Sequence, residues 1–281
     1  MGLLDSKVAI VTGGTSGIGA RTAELFAAEG ASLVIAGRRT EQGEAIAARL
    51  GASFVRTDVS VEADVHALIA HTVDRHGRLD VLVNNAGDYG IGGSIAEVDL
   101  KQFERTMAVH VGGVVAGMKH AAPVMLRQGS GSIVNLASIG GWLAGWTGLG
   151  YSAAKAAVLQ LTRSAAVELG EHGIRVNSIS PGPVLTGIFA KGAGLDPAEA
   201  DRTAAELEPL FTAALEHWQP VRRAGTPDDV APAALWLASD ASSFVNGHNL
   251  VVDGGISAGR PISISRGERA AMAQVFAART D

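Results

Sequence analysis

Hydrophobic positions along the chain follow two rhythms. Short apolar runs, Val8 to Val11, Leu33 to Ala36, Ser53 to Arg56, Val81 to Asn84, Ser132 to Ala137, Arg175 to Ile179 and Asn249 to Val252, are separated by stretches in which apolar residues recur every three or four positions. The short runs fit strands buried on both faces of a sheet, and the longer spacing fits helices that lay one stripe on that sheet. Val61, Val65, Leu68, Ile69 and Val73 form one such stripe. Thr226-Pro-Asp-Asp229 offers an N-cap, a proline at the first helical position and an acid at N3, so a helix is expected to begin there. Strands alternating with helices in this way predict a doubly wound parallel α/β sheet of about seven strands with helices on both faces. With no internal repeat or low-complexity linker, residues 1–281 read as one domain.

Composition narrows the classes further. A chain of 281 residues with 47% hydrophobic content can fill the core of one large α/β domain. A net charge of -5 and the lack of a sustained Lys/Arg run argue against nucleic acid as a partner. There is no cysteine, hence no disulfide framework or thiolate metal site, which fits a reducing cytoplasm, the expected location. The N-terminal Met-Gly-Leu-Leu-Asp-Ser-Lys lacks a basic n-region and a long apolar h-region, and no apolar stretch approaches bilayer length, so no membrane partner is expected. Histidines 66, 71, 76, 120, 172, 217 and 248 form no His-Glu-x-x-His pattern, and no metal is expected.

Three stretches carry chemistry. Lys7-Val-Ala-Ile-Val-Thr-Gly-Gly-Thr-Ser-Gly-Ile-Gly19 is a strand that runs into glycines and then into a helical pattern, the arrangement of a phosphate cradle. Gly13 permits a tight turn, Gly17 and Gly19 allow close backbone approach to a pyrophosphate, and the amides near Thr15, Ser16 and Ile18 point at the anion. The spacing is Thr-Gly-x-x-x-Gly-x-Gly rather than Gly-x-Gly-x-x-Gly. Further on, Tyr151 and Lys155 stand four residues apart, on one face of a helix, where the ammonium can favour the ionised phenol. A unit charge at about 4 Å with an effective dielectric near 20 contributes roughly 4 kcal/mol, enough to bring a phenol of reference pKa about 10 near neutral pH. Ser138, at the end of an apolar run, would hydrogen-bond a substrate oxygen within reach of that phenol.

The cradle, Asn84-Asn-Ala-Gly87, Ser138, Tyr151-x-x-x-Lys155 and Pro181-Gly182, in this order, resemble the short-chain dehydrogenase/reductase family from about Lys7 to Gly255. The resemblance implies a Rossmann-type domain that binds NAD or NADP and interconverts alcohols and ketones, with a small-molecule substrate. It further implies that Asp58 and Val59 contact adenine, that Asn85, Ala86 and Gly87 line the middle of the cofactor, that Asn84 braces neighbouring strands and that Val184 and Thr186 hold the nicotinamide carboxamide. Lys155 would also bond the nicotinamide ribose, Asp253-Gly-Gly255 would be structural, and the assembly would be a homotetramer, a dimer being the other option.

Cofactor choice turns on the end of the second strand, where an acid would bind the ribose hydroxyls of NAD. Gly37-Arg38-Arg39 stands there instead. Arg38 is expected to pair with a 2′-phosphate, and Arg39 fits either that contact or a solvated helix start. NADP(H) is therefore preferred over NAD(H). Ser16 occupies the place where many NADP-preferring relatives carry a second basic residue, which moderates the expected selectivity.

A departure from the family pattern is His110, in Phe103-Glu-Arg-Thr-Met-Ala-Val-His-Val-Gly-Gly113, where an asparagine completing a catalytic tetrad is usual. Histidine can donate, accept and carry a proton near neutral pH, so it either preserves the relay or packs as an ordinary helix residue; the working hypothesis is a functional substitute. Substrate recognition is expected from segments outside the signatures. In Gly140–Gly150, Trp142 and Trp146 could wall a ring-shaped pocket; in 186–220, Leu207, Leu210, Phe211, Ala214, Leu215 and Trp218 would form one face of an amphipathic lid. Residues 256–281 form a C-terminal extension with a short helix expected over Arg266 to Ala278. Within the enzyme class, NAD-dependent alcohol dehydrogenase and 3-oxoacyl-carrier-protein reductase are the runner-up readings; outside it, a non-catalytic dinucleotide sensor is the alternative, against which the joint presence of Ser138, Tyr151 and Lys155 speaks.

Overall fold

Seven of the apolar runs become strands in the computed structural model, which describes residues 2–90, 92–192 and 194–277. The strands are β1 (Val8–Thr12), β2 (Ser32–Gly37), β3 (Ser53–Arg56), β4 (Val81–Asn84), β5 (Gly131–Leu136), β6 (Ile174–Pro181) and β7 (Asn249–Val252). They pair in parallel in the order β3-β2-β1-β4-β5-β6-β7. Each expected strand is present, with ends shifted by a residue or two.

Alternation along the strands divides the core into two layers. Ile10, Val34, Leu82, Ile133 and Val176 face helices α3 (Glu62–His76), α5 (Gly113–Gln128) and α6 (Leu149–Gly170). Ala9, Val11, Leu33, Ile35, Val83 and Val134 face α1 (Gly17–Ala28), α2 (Thr40–Leu50) and α10 (Pro227–Ala238). Both faces are covered, which is why these strands read as continuous apolar runs.

Local signals behave largely as expected. Val65, Leu68 and Ile69 of α3 are buried, whereas Val61 is 46% exposed, because it is the N-cap and its backbone is still extended there. Thr226 caps α10 with the expected capping box: Asp229 Oδ2 accepts from the Thr226 N–H at 2.8 Å and also pairs with Arg223. Helix α4 (Leu100–Met107) passes into α5 through a π-helical turn, Ala108–Gly112.

The segment after β6 folds as α7 (Ile188–Gly192), α8 (Pro197–Thr203) and α9 (Glu208–Leu215). Its expected single apolar face is split. Phe211 and Leu215 pack with Ile139, Trp146 and Ile256, while Leu210 is 72% exposed, because α9 is only two turns long and cannot carry one stripe from Leu207 to Trp218. The tail forms α11 (Ile262–Ala277), which begins ahead of the expected Arg266 and buries none of its described residues; Ala278 lies outside the described residues. Among the described residues, no helix is long and apolar enough to cross a membrane, and no cluster of three potential metal ligands occurs.

Candidate active site

The strand order reverses between β1 and β4, and in doubly wound sheets a crevice opens there at the carboxyl ends of the strands. A cleft of about 730 Å³ occupies this position. Its wall gathers Gly13, Thr15, Ser16, Gly17, Ile18 and Gly19 from the cradle, Arg38 and Arg39 from the end of β2, Asp58 and Val59 from the end of β3, and Asn85, Ala86 and Gly87 from the end of β4. Ser138, Tyr151, Lys155, His110, Pro181, Gly182, Val184 and Thr186 complete it. Residues scattered from 13 to 186 in the chain thus share one concave surface.

The cradle is built on close approach. Gly13 has φ +66°, and a Cβ there would lie 2.8 Å from Ala86 Cα. A Cβ on Gly19 would strike the Asn85 amide and the Gly13 carbonyl. Thr12 fastens the two strand ends together: its Oγ1 accepts from the amides of Asn85 and Ala86 at 3.0 and 3.1 Å, and Asn85 Nδ2 donates to its carbonyl at 2.9 Å. Asn84 Nδ2 donates to Asn135 Oδ1 at 2.9 Å, bracing β4 against β5. A side chain at Gly13 or Gly19 would strike the end of β4 or the loop's own backbone, so these glycines let the loop close tightly before a helix start, a shape that fits a dinucleotide pyrophosphate held by backbone amides.

The three candidate catalytic side chains come from two elements. Ser138 follows β5 in extended conformation and accepts the Gly140 N–H at 3.1 Å; its hydroxyl also hydrogen-bonds the Tyr151 phenol. Tyr151 and Lys155 lie in the first turns of α6, with Lys155 Nζ 5.4 Å from the Tyr151 ring centre and donating to the Leu136 carbonyl at 2.6 Å. The ammonium and phenol therefore meet as their spacing requires, but their protonation differs from expectation. Burial pushes the Tyr151 phenol up to about 12, against the hydrogen bond from Ser138, and Asp88 raises it further. Burial likewise pushes Lys155 down to about 8, against the attraction of Asp88. In both groups the loss of hydration is the largest cause, and the mutual attraction on which the sequence argument relied is not among the others.

His110 is buried in the π-helical turn, with its ring edge-on to Tyr151 at 5.2 Å between centres. A Cβ on Gly87 would meet its Cε1 at 2.7 Å, so the glycine makes room for the imidazole. Its Nε2 lies 3.2 Å from Asp88 Oδ1 and 3.3 Å from the Asp88 N–H, contacts that require opposite tautomers, and its Nδ1 is buried with no hydrogen-bond partner. Burial, reinforced by Lys155, lowers the pKa of His110, while its hydrogen bond holds the Asp88 carboxyl below the usual aspartate range.

At the adenosine end, Arg38 is exposed and its charge acts on Asp58 and Asp88. Arg39 is the arginine that folds over the cradle, with Nη2 donating to Ser16 Oγ at 2.7 Å and Thr15 Oγ1 at 3.1 Å. Asp58 accepts from the Ser60 hydroxyl and amide at 2.6 and 3.0 Å. Val184 bridges Gly225, and Thr186 packs against Gly17. Asp253 accepts the amides of Gly255 and Ser257 at 2.8 Å, the structural turn expected of it.

Of the substrate-pocket candidates, Trp146 lines the cleft beside Phe211 and Leu215. Trp218 stacks edge-on against Trp146 at 5.9 Å but is itself 51% exposed outside the cleft wall, as is Trp142 at 41%; Gly140 is buried against Thr147. Among the cleft residues that the sequence reading did not single out, three are charged: Asp88, Lys191 and Asp201. Asp88 directly follows Asn84–Gly87 and could have been noticed as an acid beside the motif; Lys191 and Asp201 lie in a stretch without local signature.

Comparisons with known proteins show the family. The family model described as Enoyl-(Acyl carrier protein) reductase matches residues 13–257. Short-chain dehydrogenase reductase ATA1 of Arabidopsis thaliana is 45% identical over 261 residues, covering 90% of this chain and 93% of the relative. Tropinone reductase-like 1 of Erythroxylum coca is 42% identical over 92% of this chain and 93% of its own. The solved structure of levodione reductase superposes with a TM-score of 0.80 at 35% identity, covering 91% of this chain and 99% of that one. With cradle, cleft and catalytic wall assembled as described, the chain belongs to the short-chain dehydrogenase/reductase family, oxidoreductases that act on alcohols and carbonyls with a nicotinamide dinucleotide.

Proposed function

We propose that the protein interconverts a ketone and a secondary alcohol using NADP(H), with Tyr151 as general acid and base. The observation that carries this reading is the convergence of Ser138, Tyr151 and Lys155 on the cleft wall next to the glycine cradle. When bound, the nicotinamide would supply or accept the hydride at the substrate carbon. In reduction, the Ser138 hydroxyl holds the carbonyl oxygen, and the Tyr151 phenol, protonated in the buried cleft, gives its proton to that oxygen as negative charge develops there. Lys155 stabilises the phenolate left behind and can bond the nicotinamide ribose. His110, in edge contact with Tyr151 and hydrogen-bonded to Asp88, is a working substitute for the usual asparagine and helps return a proton to the tyrosine.

Preference for NADP(H) rests on Gly37, which offers no carboxylate to repel a 2′-phosphate, and on the cations of Arg38 and Arg39 at the cleft mouth. An apolar carbonyl substrate suits the wall formed by Trp146, Phe211 and Leu215, with residues 186–220 as its lid. Relatives named as reductases of levodione and as tropinone reductase-like favour a small ketone over a carrier-bound substrate. A homotetramer is the proposed assembly, since apolar residues are exposed on two separate faces: Val115 and Val167 on α5 and α6, and Trp236, Phe244 and Val251 around β7. A dihedral tetramer buries two distinct faces of each chain.

The test is NADPH consumption against cyclic, aromatic, aliphatic, sugar-derived and β-keto ester carbonyls. Tyr151→Phe should abolish turnover while NADPH still binds, and His110→Asn should stay within about tenfold of the parent, as for a group that general acid–base assistance can replace. Turnover surviving in Tyr151→Phe overturns the mechanism. A large gain in His110→Asn would mark His110 as a defect or a regulator instead.

A further inference from the structure

The mouth of the cleft holds a charge arrangement that the cofactor motif does not account for. Ser16 lies where a second basic residue would help to hold a phosphate, and a cation from a distant part of the chain comes to that spot: Lys191 Nζ, on α7, stands 3.5 Å from Ser16 Oγ. Arg39 approaches from the other side, to 2.7 Å from the same hydroxyl. Both cations are held by one carboxylate, Asp201 on α8, whose Oδ1 accepts from Lys191 at 2.6 Å and whose Oδ2 accepts from Arg39 Nη1 at 2.8 Å. The three side chains are 19–30% exposed, so the cluster is partly shielded from water.

Two cations, two hydroxyls and a single bridging carboxylate leave one positive charge uncompensated. A phosphate monoester dianion would satisfy the site better. It matches both cations in charge and has three terminal oxygens for the guanidinium fork, the ammonium and the hydroxyls of Thr15 and Ser16. The carboxylate occupies two donors, Arg39 Nη1 and Lys191 Nζ, for which an arriving phosphate would compete.

We propose that Arg39 and Lys191 together form the site for the 2′-phosphate of the dinucleotide, and that Asp201 is its internal, displaceable counter-ion. The inference rests on the NADP(H) reading above and assigns the selectivity to Arg39 together with Lys191, a residue outside the second-strand motif. Arg38 then provides general positive potential, while Lys191 supplies from the lid the charge that Ser16 lacks. Because Asp201 competes for the same donors, it weakens phosphate binding and ties the adenosine end of the cleft to α8.

Calorimetric titration with 2′,5′-ADP and with 5′-AMP separates these ideas without catalysis, since the two probes differ by the 2′-phosphate alone. Lys191→Gln should weaken 2′,5′-ADP by about tenfold or more and leave 5′-AMP within about twofold, whereas Asp201→Asn should tighten 2′,5′-ADP selectively by a similar factor. Thermal melts of both variants check that they fold. Equal weakening of both probes by Lys191→Gln, or none, overturns the inference, as does weaker binding of 2′,5′-ADP to Asp201→Asn, which would make the carboxylate an organiser of the cations rather than their competitor. If the parent protein binds the two probes alike, the NADP(H) reading itself falls; if it prefers 2′,5′-ADP and Lys191→Gln keeps that preference, only the present inference does.

Discussion

At the scale of single residues, burial sets the protonation of the catalytic wall. Tyr151, held up to about 12, is protonated throughout the physiological range and ready to donate, while Lys155, pushed down to about 8, is the group that titrates. In the proposed mechanism it is the ammonium form of Lys155 that stabilises the phenolate. For carbonyl reduction by the free enzyme, kcat/KM should be level below about pH 8 and fall as pH rises through it. A profile measured from pH 6 to 10 checks this, and a level response to pH 10 would mean either that Lys155 keeps its proton throughout or that its charge is not required. The i, i+4 pair was legible in the chain because helix geometry alone brings Tyr151 and Lys155 together. The direction of their shifts was not, because desolvation depends on what surrounds them, and that includes Asp88 and His110 from other elements.

At the scale of elements, α10 shows how a short signal becomes stability. Thr226 and Asp229 close the helix start, and Arg223 donates to both oxygens of Asp229 at 2.6 and 2.5 Å. The guanidinium holds the Asp229 carboxyl well below the usual aspartate range. Its folded pKa lies below the unfolded one, so its contribution is present in full above about pH 4 and is lost as acid protonates it. Asp229→Ala should therefore cost about 1 kcal/mol at pH 7, roughly 2–4 °C in melting temperature, and the difference from the parent should shrink in acid. A melting temperature unchanged at pH 7 would show that the cap is dispensable. The capping box was readable because all its parts lie within four residues. The split face of α9 was not, since Leu210 and Leu215 have equal claim to burial until Ile139 and Ile256 are brought alongside one of them.

At the scale of the whole molecule, the parallel sheet leaves two kinds of surface unfinished. Strand β7 is an edge strand of the sheet, and an unpaired edge with apolar neighbours invites a partner. Val115 on α5 and Val167 on α6 are also exposed, on the helices that cover another side of the sheet. Sedimentation velocity should find a species of four chains, and Trp236→Glu combined with Val251→Glu should reduce it to dimers held by the α5 and α6 face. A monomeric parent protein would remove both interfaces from consideration.

The amino-acid order by itself determined the strands, the helix starts, the glycine cradle and the Ser138, Tyr151 and Lys155 set, because each depends on spacing over a few residues. Apolar runs become buried strands and i, i+4 pairs share a face wherever they occur. Only the tertiary structure decided which arginine covers the cradle, which tryptophan reaches the cleft and which acid faces His110. Arg38 and Arg39 differ by one position, yet it is Arg39 that meets Ser16, and its partner Asp201 comes from 162 residues away. Contacts of that kind follow from how the layers pack, and no local pattern in the chain encodes them.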